Sequence, residues 1–151
     1  MGDISAFPTI RNVFAGGKYN TITMTATTAL KAGMVVEIDA TGVDLAVNAA
    51  VKEAGASPVG VALYDAAAGS KVDILTVGGI AYVANADDTT GTDAGDALIT
   101  NDNTVGGTVS ASLAVGTVST QQKIIGIALD DIAGGGTGRV LITLGHITAH
   151  G

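Results

Sequence analysis

The sequence predicts an all-β fold, a compact antiparallel β-barrel with little helix, built from two repeated β units. Three observations carry this. Val and Ile together number 29 against 9 Leu, with 19 Thr besides, and β-branched side chains suit a pleated surface while losing rotamer freedom in a helix. Gly is 22 of 151 residues and Pro only 2, which points to many tight turns with φ > 0 rather than to disorder. Third, the chain repeats itself. Residues 60–65, Gly-Val-Ala-Leu-Tyr-Asp, return at 126–131 as Gly-Ile-Ala-Leu-Asp-Asp. A small-residue loop follows each run (66–70 and 132–138), then a β-branched strand ending Thr-aliphatic-Gly at 76–78 and 143–145. Upstream, Lys31-Ala32-Gly33-Met34-Val35-Val36 parallels Asp93-Ala94-Gly95-Asp96-Ala97-Leu98. The offset is 62 residues there and 66–67 later, which assigns the length differences to loops. The units span about 28–83 and 90–148 and pack as one barrel domain over 21–151.

Residues 1–20 read as an extended N-terminal arm. Pro8 and Gly16-Gly17 interrupt it, Phe7, Ile10, Val13 and Phe14 lack strand alternation, and both Phe residues of the chain lie here. Outside both units, the arm is expected to be dispensable to the core and to dock on a partner or a neighbouring subunit through Phe7, Ile10 and Phe14. Tyr19–Thr27 alternates, with Ile22 and Met24 on one face and Thr21, Thr23 and Thr25 on the other, as in a half-buried strand. Met34–Asp39 is a second strand, and a third begins at Asp44 after a turn at Thr41-Gly42. The Ala-rich Asn48–Gly55 is a loop holding at most one helical turn, since eight residues are marginal as a helix.

Seven basic against 14 acidic residues give a net charge of -7, which argues against nucleic acid or an anionic membrane as partner. With no Cys there is neither a disulfide framework nor a thiolate metal site. Met1–Ser5 lacks the basic region of a signal peptide, and no apolar run approaches the roughly 18 residues of a membrane span, so an unexported product is expected. Only 14% of residues are charged against 47% hydrophobic, and mean hydropathy is +0.47. So sparse a charge coat implies that part of the surface is covered, and a homo-oligomer is expected.

The candidate motifs each lack a part of the chemistry they would need. Gly134–Gly138 resembles a phosphate loop, but a strand, not a helix N-terminus, follows it, so a hairpin turn is expected. Asp87, Asp88, Asp93 and Asp96 have neither the alternate spacing nor the closing Glu of a calcium loop and read as a solvated linker. His146 and His150 would lie roughly 13 Å apart on a strand, too far for one metal. Glu37 and Glu53 form no acid/base pair, and no nucleophile elbow occurs. No catalytic, cofactor or metal site is expected, and an enzyme is not.

The run Gly60-Val61-Ala62-Leu63-Tyr64-Asp65-Ala66-Ala67-Ala68-Gly69-Ser70-Lys71-Val72-Asp73-Ile74, with Gly78-Gly79-Ile80 after it, resembles the capsid cement (head decoration) proteins of tailed bacteriophages and prophages. Their later "IG-aliphatic-A" segment and final strand are matched by Ile125-Gly126-Ile127-Ala128-Leu129 and Val140–Gly145, and an "A-G-D" strand opener by Ala94-Gly95-Asp96. The resemblance covers residues from about 20 to 147; a longer N-terminal segment and an expanded 99–123 region depart from it. It implies a β-tulip-like barrel, commonly a trimer seated on capsid symmetry points, with the major capsid protein as partner, a place on the outer surface of the virion and no enzymatic activity. The alternatives are another structural β-module (tail, fibre or surface layer) or a trimeric nucleotide hydrolase. The hydrolase would need clustered Asp, a phosphate loop and aromatic stacking from a chain with 2 Phe, 3 Tyr and no Trp.

Overall fold

Glycine turns and β-branched runs resolve into strands throughout a computed structural model that describes residues 7–39, 45–49, 58–85, 91–100, 109–111 and 122–147. In chain order these are β1 (Phe14–Gly17), β2 (Thr21–Ala26), β3 (Val35–Ile38), β4 (Ala46–Ala49), β5 (Pro58–Ala62), β6 (Lys71–Leu75), β7 (Gly79–Ala84), β8 (Ala97–Thr100), β9 (Val109–Ala111), β10 (Gln122–Ala128) and β11 (Thr137–Ile147). No helix occurs among the described residues, so the all-β prediction holds. Five strands close a barrel in the order β2-β4-β3-β5-β6, and six form a sheet in the order β1-β7-β11-β10-β8-β9. The barrel is not wholly antiparallel: β2 and β4 pair in parallel to close it. Side-chain alternation reports faces, not strand direction, so the sequence held no signal for that.

The second sheet is the first barrel again. Thr25 pairs with Lys71 as Ala84 pairs with Thr137. Val36 pairs with Ala49 and Gly60 as Leu98 pairs with Ala111 and Gly126. Val61 pairs with Leu75 as Ile127 pairs with Leu141. Even the parallel closure recurs, as a bridge between Asn85 and Val109 where Ala26 meets Val47. Thus β2–β6 correspond in order to β7–β11, and the repeat boundaries move: β7 opens the second unit instead of ending the first. The expectation that all length differences sit in loops also changes. Between Gly126–Ile142 and Ile124–Gly145, β11 advances three residues while β10 advances two. That is a β-bulge within the strand, with Leu144 at φ 48.

Two buried clusters follow from strand parity. Met24, Met34, Val36, Val47, Ala62, Val72 and Ile74 fill the first barrel. Their neighbours Val35, Val61 and Leu75 face the other way and join Ala81, Val83, Leu98, Ile125, Val140 and Ile142 of the second unit. Strands buried on both faces lose polar alternation, which explains the apolar runs Met34-Val35-Val36 and Ile74-Leu75. The two units therefore share the second of these clusters. The turn at Thr41-Gly42, most of Asn48–Gly55, Asp87, Asp88 and His150 lie outside the described residues.

Candidate interaction surface

The N-terminal segment is built into the core from residue 7 on, which corrects the reading of residues 1–20 as a dispensable, outward-docking arm. Phe7 is 6% exposed and packs with the side chains inside the first barrel. Ile10 touches both clusters, and Val13 is 2% exposed. Then β1 pairs antiparallel with β7, Phe14 opposite Ala81 and Gly17 opposite Gly79. The missing alternation had a different cause: Phe7, Ile10 and Val13 pack into the buried clusters without forming a strand, so they need no strand period. Of the three proposed contact residues, Phe7 is thus turned inward and Ile10 and Phe14 are half-buried. Beside them lies an open cleft of about 250 Å³ between residues 7–10 and Lys31, Ala32 and Asp65. Lys31 Nζ stands 3.7 Å from Asp65 Oδ2 there.

The apolar surface lies elsewhere, much of it around the start of β2. Tyr19 is 62% exposed, Ile22 48% and Val77 48%. Thr76 N–H donates to Asn20 C=O at 2.9 Å, which holds residues 76–77 beside residues 19–20. The Tyr19 ring meets Phe14 edge-on, centroids 5.0 Å apart. Sequence reading placed Ile22 in the core with Met24. Met24 is buried, but Ile22 is not, because β4 covers only the Thr25–Ala26 end of β2. The large Leu45 is 65% exposed just ahead of β4.

The polar motifs serve the turns. Gly134-Gly135 turn directly into β11, as a hairpin reading requires. Asp131 Oδ1 accepts the Ala94 N–H at 2.9 Å, and Asp96 Oδ2 accepts the Asp93 N–H at 2.9 Å. These carboxylates hold backbone donors of the turn instead of facing one another, and among the described residues no three His, Asp or Glu gather. His146 lies in β11. Outside the turns, Arg139 grips Asp130 through Nε and Nη2, the Nη2 bond being 2.6 Å. That side-chain bond, helped by the Arg139 backbone N–H, holds the Asp130 carboxyl down to about 2 and raises the Arg139 guanidinium in turn.

No family model matches the chain, and no curated protein does. Among solved structures, the chain is similar to the head fiber gp8.5 N base of bacteriophage phi29, with a TM-score of 0.55 and 20% sequence identity over 82% of this chain and 93% of that one. At that identity the likeness is one of fold.

Proposed function

We propose that the chain is a structural protein of a bacteriophage virion, seated as a homo-oligomer on the outer capsid surface, where it stabilises the shell and catalyses nothing. The likeness to a phage head fiber base, over 93% of that chain, is the observation that carries this. The resemblance of residues 60–74 and 125–145 to cement proteins leads to the same place by a separate route. The buried core and the turn-bound carboxylates agree with a role in which the surface is the working part. Several weak contacts made at once by an oligomer can raise avidity about 10²–10⁴-fold over one contact, so no single deep pocket is needed.

A second reading, the base of a head fibre, is favoured by the printed role of the phi29 neighbour. Sedimentation of the purified chain with capsids, tails and cell envelopes tests the location. Stoichiometric recovery with capsids is expected; recovery with tails or envelopes alone would refute it. Thermal release of DNA from decorated and bare particles then separates the two readings. A cement protein raises the release temperature, and a fibre base leaves it unchanged.

A further inference from the structure

The two units differ at one edge. In the second, the N-terminal half of β7 is covered by β1, and Tyr82 N–H donates to Val13 C=O at 2.9 Å. The position matching Tyr82 is Thr23, since each is opposite the matching residue of the next strand, Arg139 and Asp73. Among the described residues, Thr25 and Ala26 alone of β2 have a neighbour on that side, and no strand lies beside Asn20–Thr23. The backbone is aimed there. Thr25 N–H reaches Leu45 C=O across this edge, and Ala26 N–H turns to Ser70 C=O beside β6, so alternation points Thr21 and Thr23 outward with Thr25. The side chains agree. Ala81, beneath β1, is 0% exposed, whereas its counterpart Ile22 is 48% exposed.

We propose that this edge of β2 is where a second copy of the chain adds, its strand lying where β1 lies on β7. The equivalent place already accepts a strand of this chain. Asn20–Met24 contains no Lys, Pro or bulge and is rich in β-branched residues, so it lacks the devices that keep sheet edges apart. Such devices guard first against other copies of the same chain, which are present wherever the chain is. An edge left without them is a template for a strand of another copy. The stretch is also uncharged, so two chains of net charge -7 meet there without like charges in register. Pairing would cover Ile22 and shelter Tyr19 and Val77 beside it.

The inference rests on the homo-oligomer of the proposed role and names its contact. It is tested apart from the capsid, in solution, where edge variants as oligomeric as the wild type would overturn the contact and leave the homo-oligomer standing. Light scattering on the full chain over a concentration series is compared with Thr23→Pro. That change removes an outward N–H and places a ring on the edge, while the ladder to β6 runs through Ile22 and Met24. A second variant, Thr21→Lys, adds a charge at the edge without altering the backbone, and decides the matter should Thr23→Pro not fold. The wild type is expected as a dimer or larger, and the variants as folded monomers. Hydrogen exchange at the Thr21 and Thr23 amides should quicken about tenfold or more on passing from oligomer to monomer. A wild type monomeric at every concentration overturns the proposal. So do edge variants as oligomeric as the wild type, or Thr21 and Thr23 amides that exchange freely in the intact oligomer.

Discussion

Replacing Phe7 by Ala measures how deeply the N-terminal segment belongs to the core. The side chain is 6% exposed and belongs to the buried cluster that includes Met24, Leu30, Met34, Val36 and Ile74. Removing a buried Phe costs about 3–5 kcal/mol, the transfer of the ring plus the cavity it leaves. The open cleft beside residues 7–10 lets the surroundings partly collapse, so the lower value, about 3 kcal/mol, is the better figure. With a urea slope of about 2 kcal/mol/M for a chain of this size, the unfolding midpoint should fall by about 1.5 M. Circular dichroism at the β-sheet band follows the transition. Thr9→Ala, an exposed position in the same segment, is the control and should stay within about 0.5 kcal/mol of wild type. A Phe7→Ala midpoint indistinguishable from that control would mean the segment is a free arm after all. By the same reasoning, deleting residues through Lys18 strips β1 from β7 and should abolish cooperative folding, the reverse of what the sequence led us to expect.

Three further outcomes follow. An added Cβ at Gly60 or Gly126 would lie 2.1 Å from the Leu75 carbonyl oxygen or 2.0 Å from that of Leu141, so each Gly→Ala should cost about 3 kcal/mol or more. Gly95→Ala meets nothing within 4 Å and should cost only the roughly 1–2 kcal/mol of its positive φ; urea melts of the three compare them directly. Asp65→Ala and Asp131→Ala each strip the acceptor from one turn N–H, at Ala32 and Ala94. Each should lower stability by about 1 kcal/mol, and the double mutant by the sum, because the sites lie in different units. Asp130 is depressed in the folded state, so its contribution is present above the unfolded carboxyl value of about 3.9 and is lost as pH falls through the folded value. The difference in Tm between wild type and Asp130→Asn should therefore be constant from pH 7 to 5 and shrink between pH 4 and 2; a difference that does not change across pH 4 to 2 would refute the assignment.

Much of the frame was legible because it rests on residue types with local physical consequences. β-branched runs gave strands, Gly-Val-Ala-Leu and Gly-Ile-Ala-Leu gave the repeat, and Gly134–Gly138 gave a hairpin because a strand follows it. What escaped depends on long-range pairing. Thr21–Ala26 and Ile80–Asn85 share no residue at equivalent positions, so only their common register reveals them as the same strand. The bulge at Leu144 shifted the sequence match by one residue and looked like a loop insertion. Phe7 was placed on the surface because aromatic side chains without periodicity resemble a docking tail. Of the candidate surface, the sparse charge led only to the expectation that some face is covered; that no described strand lies beside Asn20–Thr23 became visible only when β1 was found on its counterpart.

The divergence between the units indicates where their difference in role must lie. Asp73 N–H is accepted by the Tyr64 hydroxyl at 3.2 Å, and its counterpart Arg139 N–H by Asp130 Oδ2 at 2.9 Å. Lys31 N–H turns to Met34 Sδ, and Asp93 N–H to Asp96 Oδ2. In each pair the same backbone donor is satisfied by a chemically different side chain. Every main-chain donor taken from water needs an acceptor, whatever group supplies it. Where no substitute exists, the residue is kept: Gly60 and Gly126 because a backbone oxygen occupies the Cβ position, Asp65 and Asp131 because both carboxylates reach back over a turn of the same shape. The frame thus tolerates wide change in surface chemistry without loss of register. That freedom lets one unit hold β1 along its first strand while, among the described residues, the other has no strand beside Asn20–Thr23, which is why the proposed self-pairing falls at β2 instead of in the loops that resemble one another most.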